Sequence, residues 1–553
     1  MNRYARSILF IAIALLAAGT LLYAYRMEIA LELASRAADR RNVTTPNRPI
    51  PWSTGADPLG RGPDERPPNI VLILADDLGW NDLSFDGGGV ASGSVPTPNI
   101  DSIAADGVLF RNGYAANATC APSRAALLSG RYGTRFGFEF TPTPPGMMQI
   151  VPRLGAPVPR LRRPILHETA ESVPFDEMGM PASEITIAEL LADQGYHTVH
   201  IGKWHVGRAR GMAPQDQGFA ESLLMASGLY LPVDDPRVVN ARQGFDPLDR
   251  FVWASMRYAA SFNGGEKFEP GGYLTDYYTD EAVKVIEANR DRPFFLYLAH
   301  WAPHTPLQAT REDYDALAHI ENHSERVYAA MIRSLDRGVG RVLEALEQNG
   351  LEDDTLVLFT SDNGGAGYLG LPDVNRPYRG WKLSLFEGGI HVPFFMKWPA
   401  RIAPGTQVED PVHHFDLYAT AAAAARAPLP ADRRIDGVDL VPHATGEASG
   451  APHRALFWRS GASQTALIDG WKLNVSDPPG RSWLFDLNAD PTERRDLAAE
   501  RPDKLAELEA ALAAHNAEQA APAWSRQASI PVNLDKDLIR PDAPDDEYIY
   551  WSN

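Results

Sequence analysis

One cysteine occurs in the 553 residues, Cys120, and it stands in the segment Cys120-Ala121-Pro122-Ser123-Arg124. A single cysteine forms no intrachain disulfide, so its thiol either fills a core gap or does chemistry. Pro122 suits the first position of a helix, where its missing N–H would be unpaired anyway. Gly130 then marks a stop just past Leu127-Leu128. This places Cys120 just before a helix N-terminus, where the helix dipole favours an anion.

Two polar pairs stand elsewhere, Asp76-Asp77 and Asp362-Asn363. Either pair alone would serve as a solvated turn. Each nevertheless follows an apolar run with the look of a buried strand, where uncompensated carboxylates are costly. A hard divalent cation resolves both problems. Asp76, Asp77, Asp362 and the amide of Asn363 make an oxygen-only set suited to calcium or magnesium rather than zinc. Cationic and imidazole groups complete the set. Lys203 and His205 lie in Gly202-Lys203-Trp204-His205, His304 in Ala302-Pro303-His304-Thr305-Pro306, and Lys382 in Arg379-Gly380-Trp381-Lys382. Singly, each fits an ordinary surface or core position. Together with Arg124 and a cation they would build a positive pocket, which suits the transition state of a transferring tetrahedral anion.

The elements that would position these groups are legible as continuous apolar runs. Asn69–Ala75, His197–Ile201, Phe294–Ala299 and Thr355–Thr360 have the composition of strands buried on both faces of a parallel sheet. Helical patterns lie between them, including 184–194 and 326–348. The alternation predicts an α/β fold, a large and mostly parallel sheet sandwiched by helices. Asp76-Asp77 and Asp362-Asn363 directly follow two of the runs, and His205 and His304 follow the other two. They therefore gather beyond the strand ends, where open α/β sheets bind ligands. Beyond about residue 448 come short strand-like pieces, with Asp469-Gly470 as a hairpin turn and a helix over 504–514. This predicts a smaller antiparallel sheet plus helix over 449–520, after a catalytic domain over 69–448. Residues 521–553, Pro-rich and acidic, are expected as a surface tail. Residues 27–68 are expected as a linker.

The net charge of −19 argues against a nucleic-acid partner, which would require a basic face. Residues 1–26 carry Arg3 and Arg6 before the uncharged run Ser7–Tyr25, with Arg26 after it. That pattern predicts an export signal or an uncleaved membrane anchor. The body is then expected on the periplasmic or extracellular side.

Cys-x-Pro-Ser-Arg followed by Leu127-Leu128-Ser129-Gly130-Arg131 resembles the signature of the type I sulfatases, members of the alkaline phosphatase-like superfamily. The likeness extends from about Asn69 to Leu497, through the Lys203/His205, His304 and Lys382 segments, Glu387-Gly388-Gly389 and the ending Leu484-Phe485-Asp486-Leu487 with Glu493. It implies that a maturation enzyme oxidises Cys120 to formylglycine (3-oxoalanine), whose hydrate is the nucleophile. It also implies one calcium ion held by Asp76, Asp77, Asp362, Asn363 and modified Cys120, a choice over magnesium that the residues alone leave open. Cys120, Arg124, Lys203, His205, His304 and Lys382 then carry over as the catalytic set, and sulfate esters as the substrates. Three departures appear: Ser129 for threonine, Trp381 for a commoner glycine and His391 for a commoner arginine. Two other functions fit the same residues. One is hydrolysis of phosphonate monoesters or phosphodiesters, as in other members of the superfamily. The other is non-catalytic binding of sulfated glycans, should Cys120 stay a thiol. The alcohol half of the ester, be it aryl, polysaccharide or steroid, has no code in the sequence.

Overall fold

The computed structural model describes residues 25–62, 65–144, 147–151, 160–167, 173–209, 211–371 and 373–553, together with 4, 13, 15, 16 and 18–23. Nine of the nineteen residues of the apolar run Ser7–Tyr25 and parts of the 137–171 loop lie outside the described residues.

Four apolar runs predicted as strands form Asn69–Ala75, His197–Gly202, Phe294–Ala299 and Thr355–Ser361. They lie side by side in a ten-stranded sheet. From one edge the order is Thr406–Val408, Val108–Phe110, Phe394–Lys397, Thr355–Ser361, Asn69–Ala75, Phe294–Ala299, His197–Gly202, Glu221–Gly228, Tyr258–Phe262 and Lys267–Phe268. The five strands from Thr355–Ser361 to Glu221–Gly228 are parallel to one another, and the antiparallel pairings lie toward the two edges.

Both faces of the sheet are covered, which explains the unbroken apolar runs. Successive side chains of a strand point to opposite faces. Val71, Ile73, Leu296 and Leu298 therefore pack with the helices Leu274–Ala288 and His323–Gln348. Ile70, Leu72, Leu74, Phe295 and Tyr297 pack with Cys120–Ser129, Ile187–Ala192 and Asp416–Ala424. The helix expected over 184–194 is shorter, because Thr186 caps it in a reciprocal box with Glu189.

The second unit is a four-stranded antiparallel sheet, Ala455–Ser460, Ser463–Ile468, Trp471–Ser476 and Arg481–Asp486. Leu508 and Leu512 of the helix Pro502–Ala517 pack on it. Asp469 and Gly470 both have positive φ, 49° and 80°, and make the expected tight hairpin.

Two expectations are corrected. Residues 521–553 are not a loose surface tail. Ala528–Asn533 and Tyr548–Ser552 pair as antiparallel strands, and the short strand Ile165–Leu166 joins them. Val532, Leu534, Ile549 and Trp551 are buried. The segment 27–68 is not simply a linker. Residues Arg26–Arg41 form a helix packed against Pro247–Ser255, and Arg257 bonds to Asp39 and Ser35 on it. The extended remainder is docked on the body, with Ile50 buried and the Trp52 indole donating to Glu281.

Candidate active site

The sheet brings all the sequence-predicted site residues to one place. Asp76 and Asp77 leave the strand Asn69–Ala75; Asp362 and Asn363 leave its neighbour Thr355–Ser361. Backbone bonds tie the strand ends together: Asp76 N–H donates to Ala302, Asp362 N–H to Ala75 and Lys203 N–H to Ala299.

The helix that carries Cys120 is Cys120–Ser129, with Thr119 as its N-cap. Cys120 is thus the first residue inside the helix, and Pro122 the third rather than the first. Proline is tolerated there because the first four N–H groups of a helix have no partner within it. Gly130 ends the helix as expected, at φ 70°; a Cβ there would stand 2.5 Å from the Tyr418 ring. His414 fixes the helix from behind. Its Nδ1 lies 3.1 Å from Ser123 Oγ and its Nε2 3.1 Å from Thr360 Oγ1.

Cys120 Sγ lies 3.5 Å from Asp76 Oδ1 and 3.3 Å from Lys382 Nζ. Burial, and then the charge of Asp362, hold its thiol far above the usual range. An activated thiolate is the reverse of this environment. Arg124, fully buried, donates to Asp362 Oδ2 at 2.9 Å, Asp76 Oδ2 at 3.2 Å and the Lys203 carbonyl at 3.0 Å. Lys203 Nζ is 2.6 Å from Asp76 Oδ2 and 4.7 Å from the centre of the Trp301 ring. Lys382 Nζ spans both oxygens of Asp77, at 2.6 and 2.8 Å. Burial opposes the Lys382 charge, but Asp77 holds the ammonium well above its ordinary pKa. Burial likewise works against Asp77, yet the Lys382 ammonium, with Lys203 beside it, keeps it ionised.

The histidines are neutral. Burial depresses His304 to about 3. Its Nδ1 lies 2.7 Å from the Thr305 carbonyl, which fixes the proton there and leaves Nε2, 3.5 Å from Asp77 Oδ2, as the free nitrogen. Burial, with Lys203 and Arg124 beside it, pushes His205 well below its ordinary value. His205 has a positive φ of 67°, and its buried Nδ1 has no partner. His300 is fully buried with both ring nitrogens unpartnered, and touches none of these groups by hydrogen bond.

The donor set fits a hard cation. Asn363 Oδ1 is buried without a partner, while its Nδ2 donates to Asp77. Burial and then the charge of Asp362 push Asp76 up to about 7, the mark of crowded carboxylates that a divalent ion would relieve. Donor atoms of Asp76, Asp77, Cys120 and His304 lie within 4.8 Å of one another. His304 thus joins this cluster, a placement that sequence reasoning did not anticipate.

Three further residues escaped the sequence. Tyr368 donates its hydroxyl to Asp77 Oδ2 at 3.0 Å. The Trp301 ring stacks on His304 at 3.9 Å. The Tyr230 hydroxyl lies 2.9 Å from the carbonyls of both Trp301 and His304. Their only sequence signal is aromatic character, which core residues share.

The family model described as Sulfatase matches residues 68–427. Steryl-sulfatase of Mus musculus is 32% identical over 561 residues, covering 84% of this chain and 84% of that protein. An uncharacterized sulfatase of Escherichia coli (strain K12), YdeN, is 31% identical over 420 residues, covering 71% and 68%. Among solved structures, Ps i-CgsB in complex with k-i-k-neocarrahexaose superposes with a TM-score of 0.68 at 30% identity, covering 83% of this chain and 95% of that one.

Proposed function

The chain belongs to the sulfatase family and is a sulfuric ester hydrolase, and we propose that it works through formylglycine made from Cys120 and held against a calcium ion. The observation that carries this reading is the position of Cys120. It is the one cysteine of the chain, inert as a thiol, and sits between Asp76, Asp77 and Lys382 at the start of a buried helix. A hydrated aldehyde there would supply a hydroxyl nucleophile for sulfur, and a cation held by these residues would lower the pKa of that hydroxyl and polarise the sulfuryl oxygens.

Asp76, Asp77, Asp362 and Asn363 would hold the cation with residue 120. Calcium rather than magnesium follows the family. Arg124 binds two of the carboxylates and locks the helix to the strand ends. Lys203 and Lys382 are the cations that receive the sulfate oxygens, preorganised because both are already fixed by carboxylates. Lys382 and His304 face the leaving group. Lys382 is ionised throughout and donates to the departing oxygen. His304 is neutral in the free pocket; the negative charge of a bound ester raises its proton affinity, as a leaving-group acid requires. His205, a neutral imidazole with a free nitrogen, accepts the proton released when sulfate leaves the enzyme.

The names of two similar proteins differ in the molecule they mention, one a steryl-sulfatase and the other a complex with k-i-k-neocarrahexaose. The test is therefore sulfate release from an aryl sulfate, a steryl sulfate and sulfated galactan oligosaccharides, with a phosphonate monoester alongside. Turnover of the phosphonate but of no sulfate would overturn the reading.

Export to the periplasmic or extracellular side, with the N-terminal segment as a membrane anchor, is part of the same proposal. Among the described residues no helix is long and apolar enough to cross a membrane. The support is the apolar run itself and the exposure of Leu15, Leu16, Leu21 and Leu22, just before the docked helix Arg26–Arg41. Recovery of the protein in the soluble fraction, with a new N-terminus beyond Tyr25, would refute the anchor.

A further inference from the structure

The loop that carries Lys382 is poor in regular structure. Between Ser361 and Phe394 the described residues hold only the short turns Gly367–Leu369 and Glu387–Ile390. The loop contains Gly364, Gly365, Gly380, Gly388 and Gly389. Glycine-rich chain has little rigidity of its own, and lysine is a flexible four-carbon stem. Leu383, next to the ammonium-bearing residue, stands at φ 81°, a strained value for a branched side chain that persists only where surroundings over-determine it. Something beyond the loop must hold Lys382 on Asp77.

The surroundings come from the far end of the chain. Arg379 donates to Asp535 at 2.9 Å through Nε, and its Nη2 lies 2.5 Å from Glu547 Oε2. The Gly380 N–H donates to the Leu534 carbonyl at 3.1 Å. The Trp381 indole N–H donates to the Asn533 carbonyl at 2.8 Å. The same indole lies against Gly367, where a Cβ would stand 2.5 Å from it. Its ring is also edge-on to Tyr368, the residue whose hydroxyl bonds Asp77. On its other side the loop is gripped by the four-stranded sheet. Fully buried Lys472 lies 2.6 Å from Glu387 Oε1 and 3.1 Å from Glu493 Oε1, and Glu493 Oε2 accepts the Glu387 N–H.

We propose that the segment from Ala528 onward is a strap that fixes the Lys382 ammonium over Asp77 and Cys120, with Arg379 and Trp381 as its positioning residues. The proposal rests on the reading of Lys382 as the cation at the leaving oxygen, and that reading supplies a specific readout. A cation at the leaving oxygen matters most when the leaving group is poor. Loosening it should slow alkyl sulfates far more than 4-nitrophenyl sulfate, whereas partial unfolding slows both by the same factor.

The experiment compares kcat for an alkyl sulfate and for 4-nitrophenyl sulfate in the full chain and in Trp381→Phe, Arg379→Met, Arg379→Lys and Lys382→Met. Thermal stability and conversion of Cys120 are measured for each. Trp381→Phe keeps an aromatic ring at this position and removes the N–H donor to Asn533 together with the second ring of the indole. It is expected to lower kcat for the alkyl ester about tenfold, with less than about a twofold loss on the aryl ester. Arg379→Met should behave alike, and Arg379→Lys should recover part of the loss. Equal losses on both esters, or none, in Trp381→Phe and Arg379→Met while Lys382→Met discriminates would overturn the strap. No discrimination in Lys382→Met would overturn the role of Lys382, and the proposal with it.

Discussion

Tyr368→Phe removes a single hydroxyl from the site and nothing else. The Asp77 carboxylate takes two contacts from Lys382, one from Asn363 at 2.8 Å and one from Tyr368 at 3.0 Å. A hydrogen bond to a charged group contributes about 1.5–3 kcal/mol. Lys382 still spans both oxygens in the variant, so the loss belongs at the lower end, near 1.5 kcal/mol. Each 1.4 kcal/mol is about a factor of ten, and outer-shell partners of metal ligands are worth about 10–100-fold in affinity or activity. The two routes agree on roughly a tenfold loss in kcat/KM, with a matching rise in the calcium needed for half-maximal activity. The phenyl ring leaves no cavity, so thermal stability should stay close to that of the parent. The assay is sulfate release under a calcium titration, with a melting curve as control. Unchanged activity and an unchanged calcium requirement would refute the idea that Tyr368 orients Asp77.

Three other outcomes are expected. Chelation should abolish activity and lower the melting temperature, with calcium restoring both. A bound ion at about 100 times its Kd stabilises by about 2.7 kcal/mol, and a melting curve indifferent to chelator would count against a cation on these carboxylates. Arg124→Lys keeps the charge but cannot reach Asp362, Asp76 and the Lys203 carbonyl together. Losing two charge-assisted bonds costs about 3 kcal/mol or more, so activity should fall at least about a hundredfold, as sulfate-release kinetics would show. His300→Leu tests the acid limb of stability. Burial depresses His300 to about 4, so the unfolded chain binds its proton below the ordinary value of 6.5 while the fold does not. Stability is then lost as pH falls from 6.5 toward about 4, at about 1.4 kcal/mol per unit for this one group. The leucine variant should show a shallower decline in denaturant titrations between pH 7 and pH 5, and an identical slope would contradict the assignment.

The central sheet was legible because its strands are buried on both faces. Val71, Leu72 and Ile73 are apolar in succession, as are Leu356, Val357 and Leu358, and no alternation had to be deciphered. The two outermost strands on one side were too short to read: Val108–Phe110 and Thr406–Val408 have three residues each. The terminal strands were misjudged because Pro531 and the acidic residues around them suggest solvent. What binds them to the Lys382 loop is largely backbone, the carbonyls of Asn533 and Leu534, and composition does not report on carbonyls. Within the site, the groups singled out by charge or nucleophilicity converge: Asp76, Asp77, Lys203, His205, His304, Asp362 and Asn363 follow strands that the sheet aligns, while Cys120 and Arg124 arrive on a helix and Lys382 on a long loop. Tyr368 and Trp301 act through one hydroxyl and one ring face, and nothing in their local sequence separates them from core aromatics. The two-residue error at Pro122 has a similar origin. Proline marks the first turn of a helix without specifying a position within it.

The most direct test is mass spectrometry of the peptide Asn112–Arg124, taken from protein made in its own host and scored alongside sulfate release. The account predicts an aldehyde at residue 120 in active preparations, in proportion to activity. An intact thiol in protein that turns over sulfate esters at full rate would contradict it.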